Sequence, residues 1–71
     1  MPGADSTIVG YITQMTSKIF LARRTRPFGG TEEQHFSKAD AVDFIQKATP
    51  TKLLETQVGD EPARFVYSYI T

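Results

Sequence analysis

The sequence predicts a small α+β domain: an antiparallel sheet of two hairpins, in the order β-β-(β)-α-β-β, with one α-helix packed on one face. Three observations carry this. β-branched and aromatic residues gather in two pairs of short runs, one pair toward each end of the chain. A single segment between them places apolar residues at helical spacing. Gly, Pro, Asp and Ser separate the runs, as turn formers do.

Met1 to Ser6 is small, polar and broken by Pro2 and Gly3, the composition of a flexible N-terminus, so one small domain is expected over 7–71. Thr7 to Gln14, TIVGYITQ, reads as a strand with Val9, Tyr11 and Thr13 on one face and Ile8 and Ile12 on the other. Thr16, Ser17 and Lys18 make a polar turn, and IFLARR returns as the second strand of a hairpin ending near Thr25. A helix over 13–24 competes with this hairpin, because Ile12, Met15, Ile19 and Ala22 also fall at near-helical spacing and no Gly or Pro interrupts them.

Pro27-Phe28-Gly29-Gly30 breaks any regular element, and Thr31 to Phe36 returns as a short charged edge strand. Ser37 then supplies an N-cap, Asp40 favours the positive end of a helix, and Phe36 is expected to pack back on the first turn. Ala41, Phe44, Ile45 and Ala48 form the apolar stripe of a helix running from Lys38 to about Ala48, with Phe44 as its main anchor; Pro50 stops it. TKLLETQV and ARFVYSYI flank Gly59-Asp60-Glu61-Pro62 as a second hairpin. In the last run Phe65, Tyr67 and Tyr69 alternate with Val66, Ser68 and Ile70, so both faces are apolar, as in an interior strand.

Seventy-one residues make one domain, and a chain of this size buries only about 60% of the surface its unfolded form exposes. Dimerisation or binding is a natural source of further stability. With no cysteine there is no disulfide framework or thiolate metal site, which fits a reducing compartment, and a cytoplasmic location is expected. No apolar run approaches the roughly 20 residues that span a bilayer, so no membrane association is expected. Eight basic and eight acidic residues cancel, which excludes a polycation, but the layout is uneven. Up to Arg26 the basic residues Lys18, Arg23, Arg24 and Arg26 face only Asp5, whereas acidic residues dominate from Pro27 onward.

No catalytic residues, metal site or cofactor are expected. His35 is the one histidine, and it follows two glutamates in an edge segment rather than meeting a nucleophile and an orienting acid in a cleft. One histidine without cysteine makes no zinc set. Glu32-Glu33 and Asp60-Glu61 are adjacent pairs and point to opposite faces of a strand, unlike paired glycosidase carboxylates. Gly29-Gly30 lacks the Lys-Ser/Thr ending of a phosphate loop.

Two candidate binding surfaces remain. Arg23, Arg24 and Arg26 crowd into four positions before Phe28; Arg24 and Arg26 share a side at period 2 and are placed to clamp carboxylates or phosphates, with Phe28 available for stacking. Tyr67 and Tyr69 belong to an aromatic set, with Tyr11, Phe20 and Phe65, larger than one helix stripe can cover, so tyrosine contact area is expected at the surface. The run Arg24-Thr25-Arg26-Pro27-Phe28-Gly29-Gly30, followed by a Phe-Ser-capped helix, resembles the order of elements in WGR domains without their Trp-Gly-Arg signature. The whole element order is similar to that of several small phage-encoded proteins that disable host machines such as RNA polymerase or CRISPR complexes. The expected function is a small non-enzymatic protein-binding module that regulates or inhibits a larger partner; the alternative is a nucleic-acid-binding module using Arg23 to Phe28.

Overall fold

A computed structural model describes residues 6–70. Five antiparallel strands form one open sheet in the order β3-β2-β1-β5-β4: β1 (Ser6–Thr16), β2 (Ile19–Arg24), β3 (Glu32–His35), β4 (Leu54–Asp60) and β5 (Ala63–Ile70). One helix, α1 (Lys38–Gln46), lies on one face. The α+β fold class and the element order are those expected. The flexible N-terminus predicted over 1–6 lies outside the described residues except for Ser6, which opens β1 opposite Ile70. No helix among the described residues is long and apolar enough to cross a membrane.

Residues 13–24 resolve as the hairpin. Thr16 faces Ile19 across a two-residue turn at Ser17-Lys18. The hairpin wins because a period of two puts Phe20 and Ala22 of β2 on the core face beside Ile12 of β1, and leaves β1 as the central strand with β2 on one side and β5 on the other. The second hairpin closes more tightly than predicted, Asp60 facing Ala63 across Glu61-Pro62, and β5 is interior as its two apolar faces imply.

The faces of β1 differ from strict alternation. The ladder to β5 pairs Ile8 with Ser68 and Gly10 with Tyr67, so Val9 is an extra residue in a β-bulge. The bulge turns Val9 into the core beside Ile12 and moves Ile8 to the opposite face with Tyr11 and Thr13. Val9 and Ile8 thus exchange the sides that a period of two assigns them. Thr25 fixes the bulge: its amide donates to the Val9 carbonyl at 2.8 Å, and its hydroxyl donates to the Ile8 carbonyl at 2.8 Å and is 3.1 Å from that of Val9.

The core lies between the sheet and α1, where Val9, Ile12, Phe20, Ala22, Ala41 and Ile45 are buried together with Phe65 and Tyr67. Ser37 caps the helix as expected, its Oγ accepting from the Asp40 amide at 3.1 Å. The helix ends two residues earlier than predicted: the last regular bond runs from the Lys47 amide to the Asp43 carbonyl, after which Ala48 and Thr49 bond three residues back and tighten the turn. The anchor of the stripe is Ile45, fully buried, while Phe44 is half-buried at its edge. Phe36 does not pack back on the first turn; its side chain is 72% exposed.

Gly10 sets how closely the helix approaches. A Cβ there would stand 2.6 Å from both the Arg23 carbonyl oxygen and Ile45 Cδ1, so the bare backbone is the floor on which Ile45 rests. Replacing Gly10 by Ala should destabilise the domain by about 1–3 kcal/mol through overpacking, and Ile45→Ala by about 2–5 kcal/mol through the cavity it leaves. Asp43→Ala, on the exposed side of the same helix, should cost under about 0.5 kcal/mol. Urea unfolding of the three variants measures this order.

Candidate functional site

The sequence-predicted site residues divide between the two faces of the sheet. Arg24 lies on the helix side. Its Nε and Nη2 donate to the Phe44 carbonyl at 3.1 and 2.7 Å, and its guanidinium stands 4.1 Å from the centre of the Phe44 ring. The side chain therefore ties the end of β2 to the last turn of α1, where a cation also meets the negative end of the helix. Arg26 is exposed at the start of a 3-10 turn, Arg26–Phe28, and the two arginines do not continue one strand face, because the strand ends at Arg24.

Phe28 is packed against the core, its ring meeting Tyr69 edge-on with centroids 6.4 Å apart. Gly29 and Gly30 follow at φ 109° and 64°, a left-handed pair that only glycine adopts cheaply and that folds the chain back into β3. Tyr67 is 2% exposed. Its hydroxyl donates to Glu55 Oε2 at 2.6 Å, and Lys38 Nζ donates to Glu55 Oε1 at 3.2 Å while standing 4.0 Å from the Phe65 ring centre. The aromatic set is covered more completely than one helix would manage, because the Phe28 turn and Lys38 shield Tyr69 and Phe65. Of the five aromatics, Tyr11 alone is exposed.

His35 also serves packing: its Nε2 is 3.0 Å from Glu33 Oε1, and its ring lies 5.6 Å from that of Phe44 at a 40° tilt. Among the described residues, no group of three or more His, Asp or Glu side chains is placed to hold a metal ion.

The surface that sequence reasoning did not assemble is the second face of the sheet, which no element among the described residues covers. The ladders place Leu21, Tyr11, Val66 and Leu54 on it as a diagonal strip across β2, β1, β5 and β4. Tyr11 is 41% exposed and Leu54 53%. Val58 borders the same shallow cleft as Tyr11 and Val66, and Ile8 joins it through the bulge. Arg23, directly opposite Tyr11, flanks the strip on one side, and Arg64, opposite Thr13, flanks it on the other. Among the described residues neither arginine has a carboxylate at ion-pair distance, whereas Lys38 and Lys47 on the helix side are paired with Glu55 and Asp43. The signal was present in the sequence as Val66, Ser68 and Ile70 alternating with the core aromatics, but the single helix had to be assigned to one face before the other became visible.

No protein-family model matches the chain, and no curated protein or solved structure matches it significantly. Its class is accordingly defined by its own architecture, a one-helix α+β domain with an uncovered, apolar sheet face.

Two outcomes follow from the internal roles of Arg24 and Glu55. Arg24→Ala should destabilise by about 1–3 kcal/mol, since it removes charged hydrogen bonds to a part-buried carbonyl, and Arg23→Ala by under about 0.5 kcal/mol; thermal and urea unfolding compare them. The Tyr67 hydroxyl holds the Glu55 carboxyl below the usual carboxylate range, opposed in part by burial and helped by the hydrogen bond and charge of Lys38. A carboxylate depressed on folding stabilises above its unfolded pKa and loses that contribution as pH falls through the folded value. Between about pH 5 and pH 2 the wild type should therefore lose more stability than Glu55→Gln, read from urea midpoints across that range.

Proposed function

We propose that this protein is a non-enzymatic binding module that docks on a larger protein through the open face of its sheet and regulates that partner by occupying its surface, in the manner of small phage-type inhibitors. The observation that carries the proposal is the uncovered diagonal of Leu21, Tyr11, Val66 and Leu54. A contiguous exposed apolar patch flanked by charged side chains is a costly feature for a small free-standing domain and marks an interaction surface. Its make-up is that of a protein interface, an apolar centre with a tyrosine, and arginines at the border.

Protein is favoured over nucleic acid by the same inventory. Base-stacking platforms need several exposed rings, and this face offers aliphatic side chains around the single ring of Tyr11. In the basic turn, Phe28 is packed on Tyr69 and Arg24 is held by the Phe44 carbonyl, so the ring that stacking needs and one of the three arginines are already engaged within the domain.

The test is affinity capture from the native cell with the wild type and with Val66→Asp, each confirmed folded by circular dichroism, with and without nuclease. The proposal predicts a protein retained by the wild type, insensitive to nuclease and lost with Val66→Asp, because a carboxylate at the centre of an apolar contact is left buried and unpaired. Equal retention by the two proteins, or loss on nuclease treatment, would overturn it.

A further inference from the structure

The open face also specifies the shape and charge of what it receives. We infer that its occupant is an amphipathic helix of the partner protein with carboxylates on both borders of its apolar stripe. This rests on the open-face docking proposed above and adds the chemistry of the docked element.

Backbone pairing comes first. The strands that carry the strip are paired in the ladders, and a sheet presents only side chains on its face. An extended segment laid there would leave its own amides and carbonyls without partners, at a cost that a buried apolar contact does not offset. A helix satisfies its backbone internally and can rest an apolar stripe on an apolar face, as α1 does on the other side of this same sheet.

Charge and spacing come second. Arg23 on β2 and Arg64 on β5 are separated by two strand steps and offset by the two residues from Tyr11 to Thr13, which ladder geometry converts to roughly 12 Å between their Cα atoms. An α-helix with its side chains is about 10–12 Å across. A helix along the strip therefore runs between the two guanidiniums, each of which meets a carboxylate on its own flank, and guanidinium-carboxylate pairs are directional enough to fix the helix in place.

The same charges argue against a second copy as the occupant. Two open faces packed on each other would gather Arg23 and Arg64 of both copies into one interface, with Glu32, across from Arg23 at the β3 edge, as the one carboxylate of each copy that the ladders place on this face. Like charges set against each other at an interface are unfavourable.

The experiment is selection of binders from a displayed library of random helical peptides, using the full chain as bait. Selected peptides are then measured against the wild type, Arg23→Glu, Arg64→Glu and a control, Ala39→Glu, on the exposed side of α1. The expected result is enrichment of amphipathic peptides with acidic residues on both borders of the apolar stripe. Their affinity should fall about tenfold or more with each arginine reversal, return when the facing glutamates of the peptide become lysines, and stay unchanged with Ala39→Glu. Failure to enrich helical peptides, enrichment of neutral or basic ones, or indifference to both arginines would overturn the inference.

Two further arms address other occupants. Sedimentation of the protein alone that shows a dimer abolished by Val66→Asp would assign the face to a second copy, and flotation with phosphatidylserine vesicles dependent on Arg23 and Arg64 would assign it to a membrane; either result overturns the inference. If Val66→Asp abolishes capture of a native protein while no acidic helix is selected, the docking face stands and the helix does not.

Discussion

The β-bulge at Val9, with the bare backbone of Gly10 beside it, is the constraint on which the rest of the molecule depends. It adds one residue to the central strand and so decides what each face of the sheet carries. Val9 enters the core, Ile8 leaves it, and Gly10 lets Ile45 rest directly on the sheet. Thr25 holds the bulge from the neighbouring strand end, which gives the basic turn its first role. The cluster from Arg23 to Gly30 is thus largely architectural: Thr25 fixes β1, Arg24 fixes α1, and Phe28 covers Tyr69. Arg23, pointing to the other face, and the exposed Arg26 remain.

This division explains how a chain of zero formal net charge presents two unlike surfaces. On the helix side the polar groups are engaged with one another, in the chain Tyr67-Glu55-Lys38, in Glu33 with His35, and in Asp43 with Lys47. Each exposed pair contributes little to stability by itself, and both helix-side lysines among them, Lys38 and Lys47, are taken up by carboxylates. The open face carries aliphatic side chains and two arginines without carboxylates at ion-pair distance among the described residues, with Glu32 across from Arg23 as the one carboxylate that the ladders place there, so it presents a net positive charge around an apolar strip.

Most of the fold was legible because its elements announce themselves locally. Ser37 and Asp40 mark the helix start, Gly59 to Pro62 mark a turn, and the β-branched runs mark the strands. What was not legible depends on tertiary context. A bulge breaks the period of two at one residue, and the local hint in TIVGYITQ is Gly10, since a glycine inside a strand often marks a bulge; which side chain turns inward is fixed by Thr25, sixteen positions from Val9. The same limit applies to the candidate site. A period of two suggested a clamp of Arg24 and Arg26, yet the strand ends at Arg24, whose guanidinium finds a carbonyl twenty residues on. Tyr67 suggested contact area, but it is buried against the core and its hydroxyl is taken by Glu55 on the helix side. Arg64 attracted no notice, since its pairing with Arg23 across three strands exists only in the assembled sheet.

The core lies on the helix face, and the proposed interface is the open face. Hydroxyl-radical footprinting of the protein, free and bound to its captured partner, tests this most directly. The account predicts that Tyr11, Leu54 and Val66 become protected on binding while Phe36 and Met15, exposed near the end of the sheet where α1 begins, keep their reactivity. Protection of Phe36 and Met15 with Tyr11 still reactive would place the interface at that end and contradict the account.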